Sequence, residues 1–322
     1  MFPRDTVIRQ GGGMESKLSM SAAWIRTCRS LPHRKIAVVI KAKTSTVSAR
    51  RAGTPKPRLV AQTPSSARDA GDPRLFDTPE AKRIKKEICA VGRKLWLRQF
   101  VDGNGGNISY RIGPNEVICT PTMVSKFDLR PRDLCLVDLD GNQVAGTMKA
   151  TSEILLHLEI YKNVPDAKAA VHCHPPHATA YAITGLLPPN MVIPEFEIFV
   201  GQVAISPYET PGTIEFARTV LPYVKQHNTV LLGNHGAVCW SDTVTTAEWT
   251  CEVLETYCWI LMLARQLGAP ISHIPEAKGP DLMARKRRMG LPDARFDKSG
   301  SGAIGNGRRK GAGGKARRFS SA

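Results

Sequence analysis

The chain has 322 residues and a formal net charge of +17, from 45 lysines and arginines against 28 aspartates and glutamates. Its hydrophobic content of 42% is typical of a globular protein, and no apolar stretch approaches the roughly 18–20 residues that a membrane-spanning helix needs. The eight cysteines form no CxxC pair, and the sequence shows no pattern typical of an export signal. We therefore expect reduced thiols in a cytoplasmic protein rather than a disulfide framework.

The positive charge is concentrated at the two ends of the chain. Residues 1–74 carry 15 basic and 4 acidic side chains, residues 277–322 carry 13 and 3, and residues 75–276 have a net charge of −4. The composition of both ends buries too little apolar surface to offset the entropy of ordering. We predict a disordered basic arm (1–74), one folded domain (75–276) and a basic low-complexity tail (277–322). Because the arms lack interleaved aromatic residues, we expect no specific nucleic-acid partner.

Helical and strand-like patterns alternate along the middle of the chain. Thr78 can cap a helix whose apolar residues recur every three or four positions, which predicts a helix over 78–99. Short apolar runs bounded by turn residues predict five strands, and two further segments are typical of helices. The predicted strands are 108–111, 117–120, 134–139, 167–174 and 229–233, and the further helices are 151–162 and 243–267. Strands interleaved with helices indicate a layered α/β domain.

A glycine-rich segment, GNGGNIS at 103–109, precedes the first predicted strand. Its consecutive amides can cradle an anion, but no Gly-Lys-Ser/Thr follows, which excludes a Walker loop. Taken alone, the segment is better explained as a tight turn. Further hydroxyl groups lie at predicted element ends, at Thr120, Thr122, Thr151 and Ser152. The helix start at Thr151 also favours an anion.

Two histidines in the fourth predicted strand face the same way. His172 and His174 are two positions apart in VHCHP, and side chains at that spacing share one face of a strand, whereas Cys173 points to the other. Two imidazoles held side by side can chelate a metal such as zinc. Two hydrogen-bonded histidines at a strand end would explain the pair about as well.

A third histidine favours the metal site over that alternative. His235 follows the apolar strand at 229–233, and α/β sheets place their sites at such strand ends. Three neutral histidines with one open position are the usual arrangement of a catalytic zinc. We therefore predict three ligands: His172, His174 and His235.

Glu153 is the acid that we pair with this site. It lies at the start of the predicted helix 151–162, where the helix dipole alone also favours a carboxylate. His157 and His177 are weaker ligand candidates, because packing of the apolar residues around His157 already explains its helix.

Taken together and in order, these segments resemble the class II aldolase family typified by L-fuculose-1-phosphate aldolase. That family also contains ribulose-phosphate 4-epimerase and the adducin head domain. The segments are GNGGNIS at 103–109, CTPT at 119–122, TSE at 151–153, VHCH at 171–174 and LLGNHGAVCW at 231–240, and the resemblance covers about residues 80–270. It implies a three-layer α/β/α domain around a central mixed sheet, in a homotetramer with active sites between subunits.

The resemblance also implies a role for each matching position. His172, His174 and His235 would bind one Zn²⁺, and Glu153 would both approach the metal and act as the catalytic base. The substrate phosphate would be held by Gly106, Asn107, Thr122, Thr151 and Ser152. The implied reaction makes or cleaves a ketose 1-phosphate, from dihydroxyacetone phosphate and an aldehyde, through an enediolate that the metal stabilises.

The chain departs from the aldolase pattern at two places. Met123 stands where aldolases commonly have glycine after the TPT threonine. Aldolases use tyrosines near the middle of the domain and the C-terminus to handle the aldehyde half, whereas this chain has PEFEI at 194–198 and no tyrosine after Tyr257, so that residue is unassigned. Glu195 and Glu197 are candidates, although a salt bridge or a subunit interface would explain them equally well.

The resemblance leaves three alternatives, two of them enzymes and one a non-enzymatic module. A sugar-phosphate 4-epimerase uses the same retro-aldol chemistry, but epimerases have aspartate where this chain has Glu153. A methylthioribulose-1-phosphate dehydratase-like enzyme would keep the three histidines and the glutamate. An adducin-like non-enzymatic interaction module would have no use for them, which argues against that alternative.

Overall fold

The computed structural model describes residues 71–296. The predicted N-terminal arm lies outside these residues except for positions 71–74, and so does the predicted tail beyond residue 296. Within the described part, no helix is long and apolar enough to cross a membrane.

The described residues form one mixed β-sheet of eight strands with seven α-helices. The strands are β1 (Asn107–Arg111), β2 (Glu116–Cys119), β3 (Cys135–Asp138), β4 (Gln143–Ala145), β5 (Ala169–Cys173), β6 (Ala204–Ser206), β7 (Thr229–Leu232) and β8 (Gly236–Ser241). The helices are α1 (Pro79–Leu97), α2 (Ile154–Asn163), α3 (Pro176–Thr184), α4 (Pro194–Phe199), α5 (Ile214–Arg218), α6 (Val244–Gln266) and α7 (Gly279–Arg288).

The strand order places β1, β5 and β8 in the middle of the sheet. The order is β4-β3-β2-β1-β5-β8-β7-β6, and every neighbouring pair is antiparallel except β6 and β7. In the central pairing, Asn107 of β1 lies opposite His172 of β5, and His172 lies opposite Val238 of β8. The sheet thus brings the glycine-rich segment beside the HxH pair.

Helices cover both faces of the sheet. Ile108, Val171 and Cys239 pack toward α1 and α6, whereas Ala170 and Val238 pack on the opposite face with α2 and α5. Farther along the sheet, α3, α4 and the second half of α6 cover Leu231 and Ala237. The predicted three-layer α/β/α domain around a mixed sheet is therefore confirmed.

The long elements were predicted and the short ones were not. Helices α1, α2 and α6 and strands β1, β2, β3, β5 and β7 lie within a few residues of their predicted positions. β4 and β6 have three residues each, too few to show an alternating pattern. Strand β8 is longer but is not predicted, because it follows β7 after a turn of only three residues and begins within the segment GNHG, whose residues are typical of a loop.

Helix α7 lies within residues 277–322, for which the composition predicts a basic low-complexity tail. Lys286 of α7 is fully buried; it pairs with Asp293 at 3.1 Å and donates a hydrogen bond to the carbonyl oxygen of Val200 at 2.7 Å. Arg295 pairs with the buried Glu197 of α4 at 2.7 Å. Residues 279–296 thus contact α4 through one ion pair and the hydrogen bond to Val200, which a count of charges along the sequence does not reveal.

Candidate metal centre

The two histidines of the HxH pair are held at the end of a central strand. His172 is the penultimate residue of β5 and is fully buried. His174 lies just beyond β5, and its backbone N–H donates a hydrogen bond to the carbonyl oxygen of Phe100 at 2.7 Å. This bond fixes the backbone of His174 just beyond the end of the strand, so the rings of His172 and His174 face the same side.

His235 reaches the same place from the turn between β7 and β8. Asn234 before it has a φ of +56°, a left-handed conformation that asparagine adopts more readily than most residues. A side chain on Gly236 would lie 2.5 Å from the carbonyl oxygen of Cys173. The sequence Asn-His-Gly therefore fits a turn that passes close to β5.

The three imidazoles form a compact cluster. The Nε2 atoms of His172 and His174 are 3.2 Å apart, and the three ring centroids lie 4.7–5.0 Å from one another. Each histidine of the set offers one ring nitrogen, and these nitrogens all lie within 4.8 Å of one another, a geometry that can hold a metal ion. His172, His174 and His235 are thus brought together as predicted from the sequence.

The histidines are in the neutral form that a metal requires. The Nδ1 atom of His172 lies 2.9 Å from the carbonyl oxygen of Ala237, to which it must donate, so its Nε2 carries the lone pair. Burial lowers the pKa of His172 well below its usual range. Burial likewise lowers the pKa of His174, and that of His235 to about 4.

Glu153 faces this cluster from the residue before α2. Its Oε2 lies 3.2 Å from Nε2 of His172, and its Oε1 lies 3.9 Å from Nε2 of His235. Burial raises the pKa of the Glu153 carboxyl, while the Asn107 amide and the Lys126 charge act in the opposite direction. Oε2 is buried and accepts no hydrogen bond within the described residues.

This arrangement of atoms fits a divalent cation. An imidazole lone pair and a carboxylate oxygen both lack a proton to share, so their close approach is repulsive unless a positive charge lies between them. Neutral imidazoles with one carboxylate are ligands that suit zinc and other borderline metals. The ring nitrogens of the three histidines and the Glu153 carboxylate are therefore suited to bind a metal ion.

The glycine-rich segment lies directly beside the histidines. Gly106 has a φ of +69°, and a Cβ there would lie 2.6 Å from a side-chain carbon of Val101 and 2.8 Å from the carbonyl oxygen of His172. Only glycine fits such a position. The neighbouring Asn107 is buried, and its Oδ1 has no hydrogen-bond partner among the described residues.

The two hydroxyl segments lie side by side. The Thr122 N–H donates a hydrogen bond to the carbonyl oxygen of Lys149 at 3.0 Å, and the Thr151 N–H donates one to the carbonyl oxygen of Thr120 at 3.1 Å. Thr151 is buried, whereas Ser152 is exposed. Helix α2 begins at Ile154, three residues later than predicted, so Thr151 and Ser152 belong to the turn that leads into it.

Met123 occupies a backbone conformation that suits glycine. Its φ is +58°, and its side chain is 78% exposed. The glycine that aldolases commonly have here would adopt this conformation without strain. Met123 therefore holds a left-handed conformation that glycine would adopt more readily.

Three other sequence candidates lie outside the cluster. His157 is buried and its Nδ1 lies 2.7 Å from the Ser109 hydroxyl oxygen. His177 is bound to Glu255, with Nδ1 and Oε1 2.6 Å apart. Glu197 makes the ion pair with Arg295, which favours the salt-bridge explanation of that residue.

Lys126 was not singled out from the sequence. Its side chain is buried, and its ammonium group donates hydrogen bonds to the carbonyl oxygens of Asn104 and Val124, both at 3.0 Å. A single lysine in the segment MVSKFD carries no signal of burial, because lysines are usually exposed.

Comparison with known proteins places these features in one family. Residues 86–262, more than half of the chain, match the family described as "Class II Aldolase and Adducin N-terminal domain". The chain is 38% identical over 170 residues to "L-fuculose phosphate aldolase" of Methanococcus maripaludis, an alignment that covers 52% of this chain and 91% of that protein. It is 32% identical over 206 residues to "3-oxo-tetronate 4-phosphate decarboxylase" of Haemophilus influenzae, covering 62% and 96%. Among solved structures, an "L-fuculose 1-phosphate aldolase" matches with a TM-score of 0.59 and 26% identity over 65% of this chain and 97% of that one.

Proposed function

Because the chain belongs to the class II aldolase and adducin family, we propose that it is a zinc-dependent lyase that makes or cleaves a ketose 1-phosphate. The observation that carries the proposal is the cluster of three neutral imidazoles facing a carboxylate oxygen without a hydrogen-bond donor. The relative from Methanococcus maripaludis, named as an aldolase of this substrate class, supports it.

His172, His174 and His235 would hold the metal through one ring nitrogen each. The chemistry that such a site supplies is Lewis-acid polarisation of the carbonyl group of the substrate. Zinc is our choice among divalent metals because three histidines with an open position are its usual catalytic ligand set.

Glu153 would act as the base. Its carboxylate lies beside the cluster, and its partial burial keeps it reactive by limiting the water that stabilises its charge. In the aldol direction it removes the proton from the hydroxylated carbon next to the carbonyl group, and that carbon then attacks an aldehyde.

The phosphate group would be held by backbone and neutral side-chain donors. The set is Gly106, Asn107, Thr122, Thr151 and Ser152. The backbone pairing that places the Thr122 turn beside the Thr151 turn supports a shared role, as does the position of Asn107 opposite His172.

A second candidate reaction is decarboxylation of a phosphorylated 3-oxo acid, which the name of the Haemophilus influenzae relative supports. Loss of carbon dioxide from such an acid needs the same polarised carbonyl group but no base to remove a carbon-bound proton. An epimerase is less well supported, because Glu153 stands where epimerases have aspartate. The same glutamate is compatible with a methylthioribulose-1-phosphate dehydratase-like enzyme.

We also propose a homotetramer in the cytoplasm. Several large apolar side chains of α6 are exposed, among them Trp249, Trp259, Ile260 and Leu263, and a subunit interface would cover them. All seven cysteines of the described part are free, which is consistent with a reducing compartment.

The test is metal analysis of the purified protein together with assays on a panel of ketose 1-phosphates. We expect about one zinc per chain and retro-aldol cleavage of at least one ketose 1-phosphate. His172→Ala and His235→Ala should each lose the metal, because each removes a ligand. His157→Gln should keep it, because His157 lies outside the cluster. A purified protein that binds no divalent metal would contradict the proposal.

A further inference from the structure

Three lysines of the described part have buried side chains, and two of them lie near a carboxylate. Lys286 is 3.1 Å from an oxygen of Asp293, and Lys85 is 3.9 Å from an oxygen of Asp77. Lys126 is 1% exposed, and no carboxylate of residues 71–296 lies within salt-bridge distance of it. A buried ammonium group without an anion is costly, since burial removes the water that stabilises its charge.

The ammonium group of Lys126 joins two segments of the candidate phosphate site. It donates one hydrogen bond to the carbonyl oxygen of Asn104, in the glycine-rich segment, and another to that of Val124, just after residues 120–122, which we call the TPT turn. An ammonium group has three donors, so one N–H remains after these two bonds.

Lys126 also lies close to the metal cluster. Its positive charge acts to lower the pKa of Glu153 and of His174. Burial lowers the pKa of Lys126 to about 8, while the Glu153 charge acts against this lowering. An anion bound beside the two segments would stabilise the charged form.

The other residues assigned to the phosphate are all uncharged. Gly106, Asn107, Thr122, Thr151 and Ser152 supply hydrogen bonds but no positive charge, whereas a phosphate monoester carries between one and two negative charges near neutral pH. The neutral residues lack a positive charge for the phosphate, and the buried ammonium group of Lys126 lacks an anion. A phosphate bound beside Lys126 would supply the anion and receive the charge.

We propose that Lys126 is the cationic anchor of the substrate's phosphate group and makes the site selective for phosphorylated over unphosphorylated ketoses. The inference rests on the proposed function and deepens it by naming a specificity-determining residue. Lys126 binds the phosphate with its third N–H and holds the glycine-rich segment and the TPT turn together around it.

The test compares Lys126→Met with Lys286→Met in the full chain loaded with metal. Both variants replace a buried ammonium group with an apolar side chain of similar length. Lys286→Met is the control because Lys286 anchors α7 rather than the candidate phosphate site. Asp293 keeps Arg295 as a partner at 2.7 Å in this variant, so its carboxylate is not left unpaired. Calorimetry measures the binding of inorganic phosphate, and assays measure KM and kcat for the ketose 1-phosphate found for the wild type.

We expect Lys126→Met to weaken phosphate binding and to raise KM at least tenfold, with the metal content unchanged and a smaller effect on kcat. Binding of unphosphorylated dihydroxyacetone should be unaffected, and Lys286→Met should resemble the wild type in all five measurements. If Lys126→Met fails to fold, as judged by circular dichroism, Lys126→Gln replaces it, because its amide can still donate to the carbonyl oxygens.

Three results would overturn the inference. The first is phosphate binding by the variant that equals wild-type binding, and the second is the absence of phosphate binding by the wild type itself. The third is an equal loss of binding for phosphorylated and unphosphorylated ligands, which would mean that Lys126 serves only the shape of the loops or the charge of Glu153. Failure of the proposed function is a separate result: a wild type that cleaves no ketose phosphate can still bind phosphate through Lys126.

Discussion

At the scale of single residues, the site combines groups that the sequence places far apart. His172 and His174 could be paired from their spacing, and His235 and Glu153 from strand and helix ends. Lys126 could not be found this way, because its importance lies in burial and in the carbonyl oxygens around it. Residue type and spacing predict a site where strands and helices or their ends fix the position of a side chain, but they do not reveal which polar side chains are buried.

The role of Glu153 leads to a prediction at the same scale. Glu153→Gln keeps the size of the side chain but removes the basic oxygen, so proton removal from carbon should slow at least 100-fold. We expect deuterium exchange at the α-carbon of the ketose phosphate to fall accordingly, as followed by NMR, while the metal content is retained. Glu159→Gln on α2 is the control, because Glu159 binds Lys162 at 3.0 Å, away from the cluster. Deuterium exchange at the wild-type rate in Glu153→Gln would show that Glu153 is not the base.

At the scale of secondary-structure elements, the fold depends on contacts that act across long stretches of sequence. Long amphipathic helices such as α1 were predictable because their apolar spacing repeats over several turns. Helix α7 was not, because its sequence is strongly basic and its burial depends on partners outside the helix. The ammonium group of Lys286 pairs with Asp293 and donates a hydrogen bond to the carbonyl oxygen of Val200. These contacts allow a helix with the composition of a basic tail to pack against the domain.

The anchoring of α7 can be tested through its buried acid. Asp293→Asn leaves Lys286 buried with its carboxylate partner removed, so we expect a loss of about 3 kcal/mol in the free energy of unfolding. Burial acts to raise the pKa of Asp293, but the Arg295 hydrogen bonds and the Lys286 charge outweigh it and lower that pKa to about 2. The ionised carboxylate therefore contributes fully above about pH 4, and its contribution disappears as the pH falls toward 2.

Urea denaturation as a function of pH measures this contribution. The wild type should lose more stability than Asp293→Asn between about pH 4 and pH 2, because only the wild type must protonate this carboxylate. Asp281→Asn is the matched control, since Asp281 is an exposed acid in the first turn of the same helix. Equal stability of Asp293→Asn and the wild type at pH 7 would show that the ion pair does not anchor α7.

At the scale of the whole molecule, the excess positive charge and the candidate site lie in different parts of the chain. Residues 71–296 contain 24 basic and 24 acidic side chains, so the entire excess of +17 lies in residues 1–70 and 297–322. The candidate site and the sheet that positions it lie within the neutral part. We therefore propose that the terminal segments govern nonspecific contacts with polyanions and that they are not needed for activity.

A chain restricted to residues 71–296 tests this separation. It should keep the metal and the kcat/KM of the full chain, because every residue assigned to the site is present. The full chain should be retained on heparin at low salt and released as the salt concentration rises, whereas the shortened chain should not be retained. The first residue matters, because the Asp72 N–H donates a hydrogen bond to Glu116 of β2 at 2.9 Å. A chain that begins at residue 75 should therefore be less stable than one that begins at 71, by about 1 kcal/mol for the lost hydrogen bond. Clear loss of activity in the 71–296 chain would show that a terminal segment contributes to the site.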